Sequence, residues 1–291
     1  MDFRRPCSTI AYFDTNIFDN LIKRTNCITD ADEARLRAAV SSGRVKVVVS
    51  HTTIREALAA LESRPDVARE QLELIVSLAD WDRFVRLSSE VLENDVKHFV
   101  FNGEAATTPF EKNAAHIRSK LQLIIEGRIG FEELEAVIGE DRAYKTGFLD
   151  TVRRAHAGTA AELEEFRKAN GIPSFKEFFE DGMEAQVLAF VESFGVAEEC
   201  KRRGLDKLST IPSIRALIGL GMSFMYRTSA EKKSPKSSAA RDLQHAVCAA
   251  SSADIFVTHD EELSLMFHRV PMRRFQVMRL NQLLNCANLI L

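Results

Sequence analysis

The sequence has few cysteines, no excess of positive charge and no long hydrophobic run, and each absence excludes a class of protein. Its 291 residues include five cysteines, and no two of them are spaced as a CxxC pair. A disulfide scaffold and a cysteine-based zinc finger are therefore excluded, and reduced thiols in a cytoplasmic protein are expected. Lysine and arginine total 39 against 42 aspartates and glutamates. Any contact with nucleic acid must therefore come from a local basic patch, because the whole protein has no basic field.

No segment is suited to crossing a membrane. The most apolar stretch, residues 211–226, contains Arg215 and is too short to span a bilayer. The apolar run near the N-terminus is interrupted at Asp14, which excludes a secretory signal. We therefore expect no contact with a membrane.

Short apolar segments bounded by polar residues predict a buried parallel sheet. Residues 10–13, 45–49 and 255–257 are predicted to be strands, and residues 275–280 are a weaker fourth candidate. Apolar residues at helical spacing follow the second strand and precede the third. Because strands alternate with helices, the pattern predicts a doubly wound α/β fold with right-handed crossovers.

The middle of the chain contains no convincing strand and is predicted to be a large all-helical insertion. Apolar stripes at helical spacing recur through it, and prolines separate them. We assign residues 1–63 and 231–291 to the two parts of the α/β domain and residues 64–230 to the insertion. The polar segment 231–238 is the clearest loop in the chain.

Four acidic residues occupy positions that a parallel sheet would bring together. Asp14 and Asp260 directly follow the first and third strands, and Glu56 lies early in the helix after the second strand. Ligands bind outside the carboxyl ends of such strands, so these three acids are expected at one edge. Asp242 lies in the first turn of the helix before the third strand. An antiparallel packing of that helix on the strand would bring Asp242 to the same edge.

Four carboxylates in one small pocket repel one another unless cations relieve the repulsion. Hard oxygen ligands without cysteine suit Mg²⁺ or Mn²⁺. Such ions lower the pKa of an attacking water and stabilise a leaving oxygen, which is the chemistry of phosphodiester hydrolysis. The arrangement therefore predicts a metal-dependent hydrolase.

Each acid also has a purely structural interpretation. Asp14 is placed to cap the helix that follows it. Glu56 completes a Thr53-x-x-Glu56 capping box, and Asp242 and Asp260 are acids that favour the start of a helix. Only the joint placement of all four favours a site.

Four segments of the sequence together resemble the PIN domain. They are, in chain order, Phe13-Asp14-Thr15-Asn16-Ile17-Phe18, Val49-Ser50 with Glu56, Ala240-Arg241-Asp242-Leu243-Gln244-His245-Ala246, and Asp254-Ile255-Phe256-Val257-Thr258-His259-Asp260. The resemblance covers about residues 8–63 and 237–285. It implies a Rossmann-like, three-layer parallel sheet with an acidic nuclease site that requires Mg²⁺ or Mn²⁺. By motif match, the four acid positions are Asp14, Glu56, Asp242 and Asp260, and their polar companions are Asn16 and Thr258.

The resemblance implies a cytoplasmic endoribonuclease that cleaves single-stranded or structured RNA and leaves a 5′-phosphate. Family members include toxins of toxin–antitoxin pairs. The resemblance therefore implies an antitoxin-like protein as a possible partner. The size and the apolar stripes of the insertion suggest that the protein could self-associate into a homo-oligomer. Lys236 and Arg241, beside Asp242, are expected to bind the RNA backbone. His245 is interpreted as a packing or helix-surface residue, with contact to a metal-bound water as the alternative.

Three other functions stay open at this point. The first is a catalytically silent PIN-like protein that binds RNA or assembles a complex. The second is a small-substrate phosphatase built on the same type of sheet. The third is a nuclease that acts on DNA.

Overall fold

The structure is a computed structural model of the chain. It describes residues 8–106, 108–140, 142–143, 146–147, 168, 171–233, 236, 238–272 and 275–288.

Four parallel strands form one sheet in the order β2-β1-β3-β4. They are β1 (Thr9–Phe13), β2 (Val45–Val48), β3 (Ile255–Val257) and β4 (Gln276–Met278). Ala11 in the central strand β1 is in register with Val47 on one side and Ile255 on the other. All three predicted strands are confirmed, and so is the weaker fourth, which forms an edge of the sheet.

Helices connect the strands and fill the insertion. The N-terminal part contains α1 (Thr15–Lys23), α2 (Asp30–Ser41) and α3 (His51–Ala59). The described parts of the insertion contain α4 (Pro65–Leu78), α5 (Ser88–Asn102), α6 (Ala114–Ile125), α7 (Phe175–Glu192), α8 (Ala197–Arg203), α9 (Leu205–Leu208) and α10 (Pro212–Ser229). The C-terminal part contains α11 (Ala239–Ser252), α12 (Glu261–Arg269) and α13 (Leu280–Asn288). Among the described residues, no helix combines the length and the apolar character that a bilayer crossing needs.

Side chains of the sheet alternate between two hydrophobic cores, one on each face. On β1, Tyr12 packs into one core, and Ala11 and Phe13 pack into the other. Helices α5 and α7 to α12 contribute to the core around Tyr12. Helices α1 to α4, α6 and α13 contribute to the core around Phe13. The protein is therefore an α/β protein whose parallel sheet is covered by helices on both faces.

The helical insertion extends these two cores. Ile214 and Leu220 of α10 belong to the same core as Phe256 of β3, and α10 packs along α11. Outside isolated bridges such as the one between Ser50 and Val85, regular structure in the described part of residues 64–230 is helical. The insertion consequently helps to hold α11, the helix that carries Asp242.

Candidate functional site

The carboxyl end of the sheet carries the acids that the sequence singled out. Asp14 follows β1, and its backbone N–H donates to the carbonyl of Val257 at the end of β3, at 3.0 Å. Asp260 precedes α12, and Asp242 lies in the first turn of α11. Glu56 lies in the second turn of α3. The side chain of Glu56 is 17% exposed and that of Asp260 is 26% exposed, so solvent reaches this edge.

Asp14 is 7% exposed, and its two carboxylate oxygens have different surroundings. Oδ2 accepts hydrogen bonds from Asn16 Nδ2 at 2.5 Å and from Thr258 Oγ1 at 2.7 Å. Oδ1 accepts no hydrogen bond from any described residue and lies 3.7 Å from His245 Nε2. The side chain does not cap α1, so the capping interpretation of Asp14 is wrong. Instead, the two polar companions from the sequence motif hold Oδ2 and leave Oδ1 open.

Glu56 has a carboxylate that is free of the helix backbone. The predicted Thr53-x-x-Glu56 capping box is wrong, because Ser50 and Thr53 form the box and the helix starts one turn earlier. Glu56 Oε2 accepts from His245 Nε2 at 2.9 Å, and Oε1 accepts from Arg241 at 3.2 Å. Burial by itself raises the pKa of Glu56, but His245 and Arg241 outweigh burial and lower the pKa to about 2.

His245 completes the closest cluster at this edge. It is 2% exposed and its ring packs against Tyr12, so the prediction of a packing residue is confirmed and that of a helix-surface residue is wrong. Single ligand atoms of Asp14, Glu56 and His245 all lie within 4.8 Å of one another. Burial lowers the pKa of His245, but the charge of Glu56 and then that of Asp14 outweigh burial, so its pKa is raised. The sequence does contain a signal for this residue, because Asp242 and His245 are three apart on one helix and share a side of it.

Asp242 lies outside this closest cluster but is influenced by its charges. Burial raises the pKa of Asp242 to about 8, together with the neighbouring carboxylates of Asp14 and Asp260. The pKa of Asp14 is also raised, by burial and by the charge of Glu56, against the opposing effect of His245. Burial and neighbouring negative charges therefore both oppose ionisation of Asp14 and Asp242.

Asp260 caps the start of a helix, which was the structural interpretation of this residue from the sequence. Its Oδ1 accepts the backbone N–H of Leu263 at 2.9 Å and so caps α12. Its Oδ2 lies 3.9 Å from Lys236 Nζ. Capping of α12 occupies one oxygen only, and the second oxygen faces the charged edge.

The two predicted RNA-binding cations lie at the edge but are paired with acids of the protein. Arg241 pairs with Glu56 at 3.2 Å, and Lys236 pairs with Glu262. Lys236 belongs to the predicted loop 231–238, of which residues 234, 235 and 237 lie outside the described part of the chain. Binding of a phosphate by either cation would require exchange of these partners.

Comparison with protein-family models, with curated proteins and with solved structures finds no match for this chain. The likeness to PIN domains rests on its four sequence segments. What the edge can do chemically follows from its own geometry.

The oxygens at this edge fit a small divalent cation. A carboxylate oxygen accepts up to two bonds, so each oxygen of Glu56 has one acceptor position left, and Asp14 Oδ1 has both. Hard oxygen donors of this kind suit Mg²⁺ or Mn²⁺. Burial is the main cause of the raised pKa of Asp242, and a cation would relieve the repulsion from Asp14 and Asp260 that adds to it.

Proposed function

We propose that the protein is a Mg²⁺- or Mn²⁺-dependent endoribonuclease with a Rossmann-like, three-layer PIN-like fold. Its metal-binding and catalytic groups would be the carboxylates of Asp14, Glu56, Asp242 and Asp260. The observation that carries the proposal is Asp14 Oδ1, which is nearly buried, accepts no hydrogen bond from a described residue and lies 3.7 Å from His245 Nε2. Burial and the charges of Glu56 and Asp260 raise the pKa of this carboxyl group, against the effect of His245. His245 offsets the cost of ionising this carboxyl group only in part, and a divalent cation would offset it further.

Different polar residues hold the carboxylates of Asp14 and Glu56 in place. Asn16 and Thr258 fix Asp14 through Oδ2, and this fixation directs Oδ1 to the site. Arg241 and His245 fix Glu56 from two sides. A bound divalent cation would lower the pKa of the attacking water and would stabilise the negative charge on the leaving oxygen of a phosphodiester.

Basic side chains that flank the acids support a nucleic-acid backbone as the substrate, and the resemblance to PIN domains favours RNA. Lys236 is 54% exposed beside Asp260, and binding of a phosphate would require it to exchange its partner Glu262. Arg241 is mostly buried and would contact only a phosphate that enters the edge itself. An antitoxin-like partner and a homo-oligomer stay predictions of the sequence.

The decisive experiment measures cleavage of labelled single-stranded and hairpin RNAs with Mn²⁺, with Mg²⁺ or with EDTA. We expect internal cleavage that leaves 5′-phosphates and is lost with EDTA and in Asp14→Asn. Asp254→Asn is the matched control, because this exposed aspartate precedes β3 and lies at the opposite end of the strand. Its activity should equal that of the wild type.

Other outcomes would assign the rival functions. RNA that is bound but uncut, equally by the wild type and Asp14→Asn, would identify a catalytically silent RNA-binding protein. Turnover of p-nitrophenyl phosphate that depends on Asp14, without RNA cleavage, would identify a phosphatase. Cleavage of DNA alone would identify a DNA nuclease.

A further inference from the structure

A buried ring of hydrogen bonds joins the three elements that carry the closest cluster. The hydroxyl of Tyr12 on β1 lies 2.8 Å from His245 Nδ1 and 2.6 Å from Ser50 Oγ. His245 Nε2 lies 2.9 Å from Glu56 Oε2. Because Ser50 caps α3, the helix that carries Glu56, the ring passes from β1 through α11 to α3 and back. Tyr12 and Ser50 are 0% exposed and His245 is 2% exposed, so water does not compete for these bonds.

This cycle of hydrogen bonds determines which nitrogen of His245 carries a hydrogen. An ionised carboxylate only accepts hydrogen bonds, so Nε2 carries a hydrogen and donates it to Glu56. An imidazole nitrogen binds a metal only through its free lone pair. The hydroxyl of Tyr12 bonds Nδ1 and fixes the imidazole of His245 in the orientation in which Nε2 contacts Glu56. His245 therefore lies among the acids as a donor to a carboxylate.

We propose that His245, held by Tyr12, is a positioning residue that orients Glu56 toward Asp14 and sets the affinity for Mg²⁺ or Mn²⁺. This inference rests on the proposed function. His245 and Arg241 donate to different oxygens of Glu56 and so prevent its carboxylate from rotating. Small divalent cations need closely defined ligand geometry. Loss of partners that orient a ligand typically lowers metal affinity about 10–100-fold.

Two substitutions of His245 separate its two contacts. The side-chain amide of glutamine reaches the position of Nε2, whereas that of asparagine reaches the position of Nδ1. His245→Asn therefore removes the bond to Glu56, and His245→Gln preserves it. We expect Mn²⁺ affinity to fall roughly 10–100-fold in His245→Asn. The fall should be smaller in His245→Gln, which keeps the bond to Glu56 and loses only the contact with Tyr12. Titration of free Mn²⁺ by electron paramagnetic resonance measures both values.

Tyr12→Phe provides a second variant that keeps the volume of the ring. It removes the hydroxyl that contacts both His245 Nδ1 and Ser50 Oγ, and we expect Mn²⁺ affinity to fall about tenfold. Circular dichroism confirms that each variant is folded, and Asp254→Asn serves as the control with unchanged affinity.

A spectroscopic measurement separates positioning from ligation. Electron spin echo modulation of the Mn²⁺-loaded protein detects a directly bound imidazole nitrogen, and we expect none. A bound nitrogen signal that disappears in His245→Gln would overturn the proposal and make His245 a ligand. Loss of affinity in Asp14→Asn with unchanged affinity in His245→Asn and Tyr12→Phe would overturn the positioning role alone. A wild-type protein that binds no Mn²⁺ would overturn the proposed function as well.

Discussion

Asp14 at the sheet edge and Asp95 in the helical insertion are both nearly buried, at 7% and 5% exposure, but their hydrogen bonds differ. Asp95 Oδ1 accepts the backbone N–H of Ala106 at 2.8 Å, and Oδ2 accepts the hydroxyl of Ser213. Asp14 has two donors on Oδ2 and none among the described residues on Oδ1. A buried carboxylate with a donor on each oxygen connects helices, whereas one with an open oxygen is suited to a ligand.

The charges around the two aspartates differ in the same way. Burial raises the pKa of both. A histidine charge lowers the pKa of each, His245 for Asp14 and His98 for Asp95. Of the two, only Asp14 also has neighbouring acids among the described residues, Glu56 and Asp260, whose charges raise its pKa. Crowding of acids, rather than burial of one acid, therefore distinguishes the candidate site from the structural carboxylate.

The largest effect should come from Asp14→Asn. This change removes the charge of the open oxygen, and we expect Mn²⁺ affinity to fall at least about 100-fold, the upper end of the loss caused by removal of a supporting partner. Isothermal titration calorimetry measures the affinity. Asp95→Asn is the matched control with unchanged affinity, and an equal loss in both variants would remove the distinction between the two aspartates.

Asp95→Ala should instead lower stability. It leaves the Ser213 hydroxyl and the Ala106 N–H without an acceptor in a buried position, so we expect the free energy of unfolding to fall by about 1–3 kcal/mol. Urea denaturation followed by circular dichroism measures the change. Mn²⁺ affinity should stay at the wild-type value. Unchanged stability would show that Asp95 does not connect α5 to the start of α10.

The pH dependence of stability should reveal the pKa of Asp242, which burial and then the charges of Asp14 and Asp260 raise. Its pKa in the folded protein is about 8, above the ordinary value of 3.8, so the unfolded chain loses this proton first as pH rises. In EDTA, stability of the wild type relative to Asp242→Asn should therefore fall from about pH 4 to about pH 8, by at most about 1.4 kcal/mol per pH unit. Urea midpoints at a series of pH values measure it. Parallel curves for both proteins would contradict the raised pKa of Asp242, and excess Mn²⁺ should reduce the difference.

The smallest effect is expected from Lys236→Gln. Lys236 is 54% exposed, so stability should change by less than about 0.5 kcal/mol. If the lysine contacts a phosphate, the slope of RNA affinity against salt concentration should fall by about 1. Fluorescence anisotropy in EDTA measures binding without cleavage. Lys97→Gln, an exposed lysine paired with Glu93 on α5, is the control, and equal slopes for both variants would exclude the phosphate contact.

The strands and the acids that follow them were predictable because both depend on local pattern. Residues 10–13 and 255–257 are short apolar runs, and Asp14 and Asp260 stand close behind the strands they form. The fourth strand was a weaker prediction because β4 is an edge strand, and its partly exposed residues interrupt the apolar run. The start of α3 was misplaced by one turn, because both Ser50 and Thr53 are good capping residues and the packing of the helix selects between them.

By itself, the sequence determined the alternation of strands and helices, and with it which acids reach the carboxyl edge of the sheet, because hydrophobic periodicity is a local property. Only the tertiary structure decided the surroundings of each acid. Tyr12 and His245 are 233 residues apart in the chain, and His245 and Glu56 are 189 apart. Contacts over such separations depend on how each helix is rotated against the sheet, and the packing of the whole core sets that rotation.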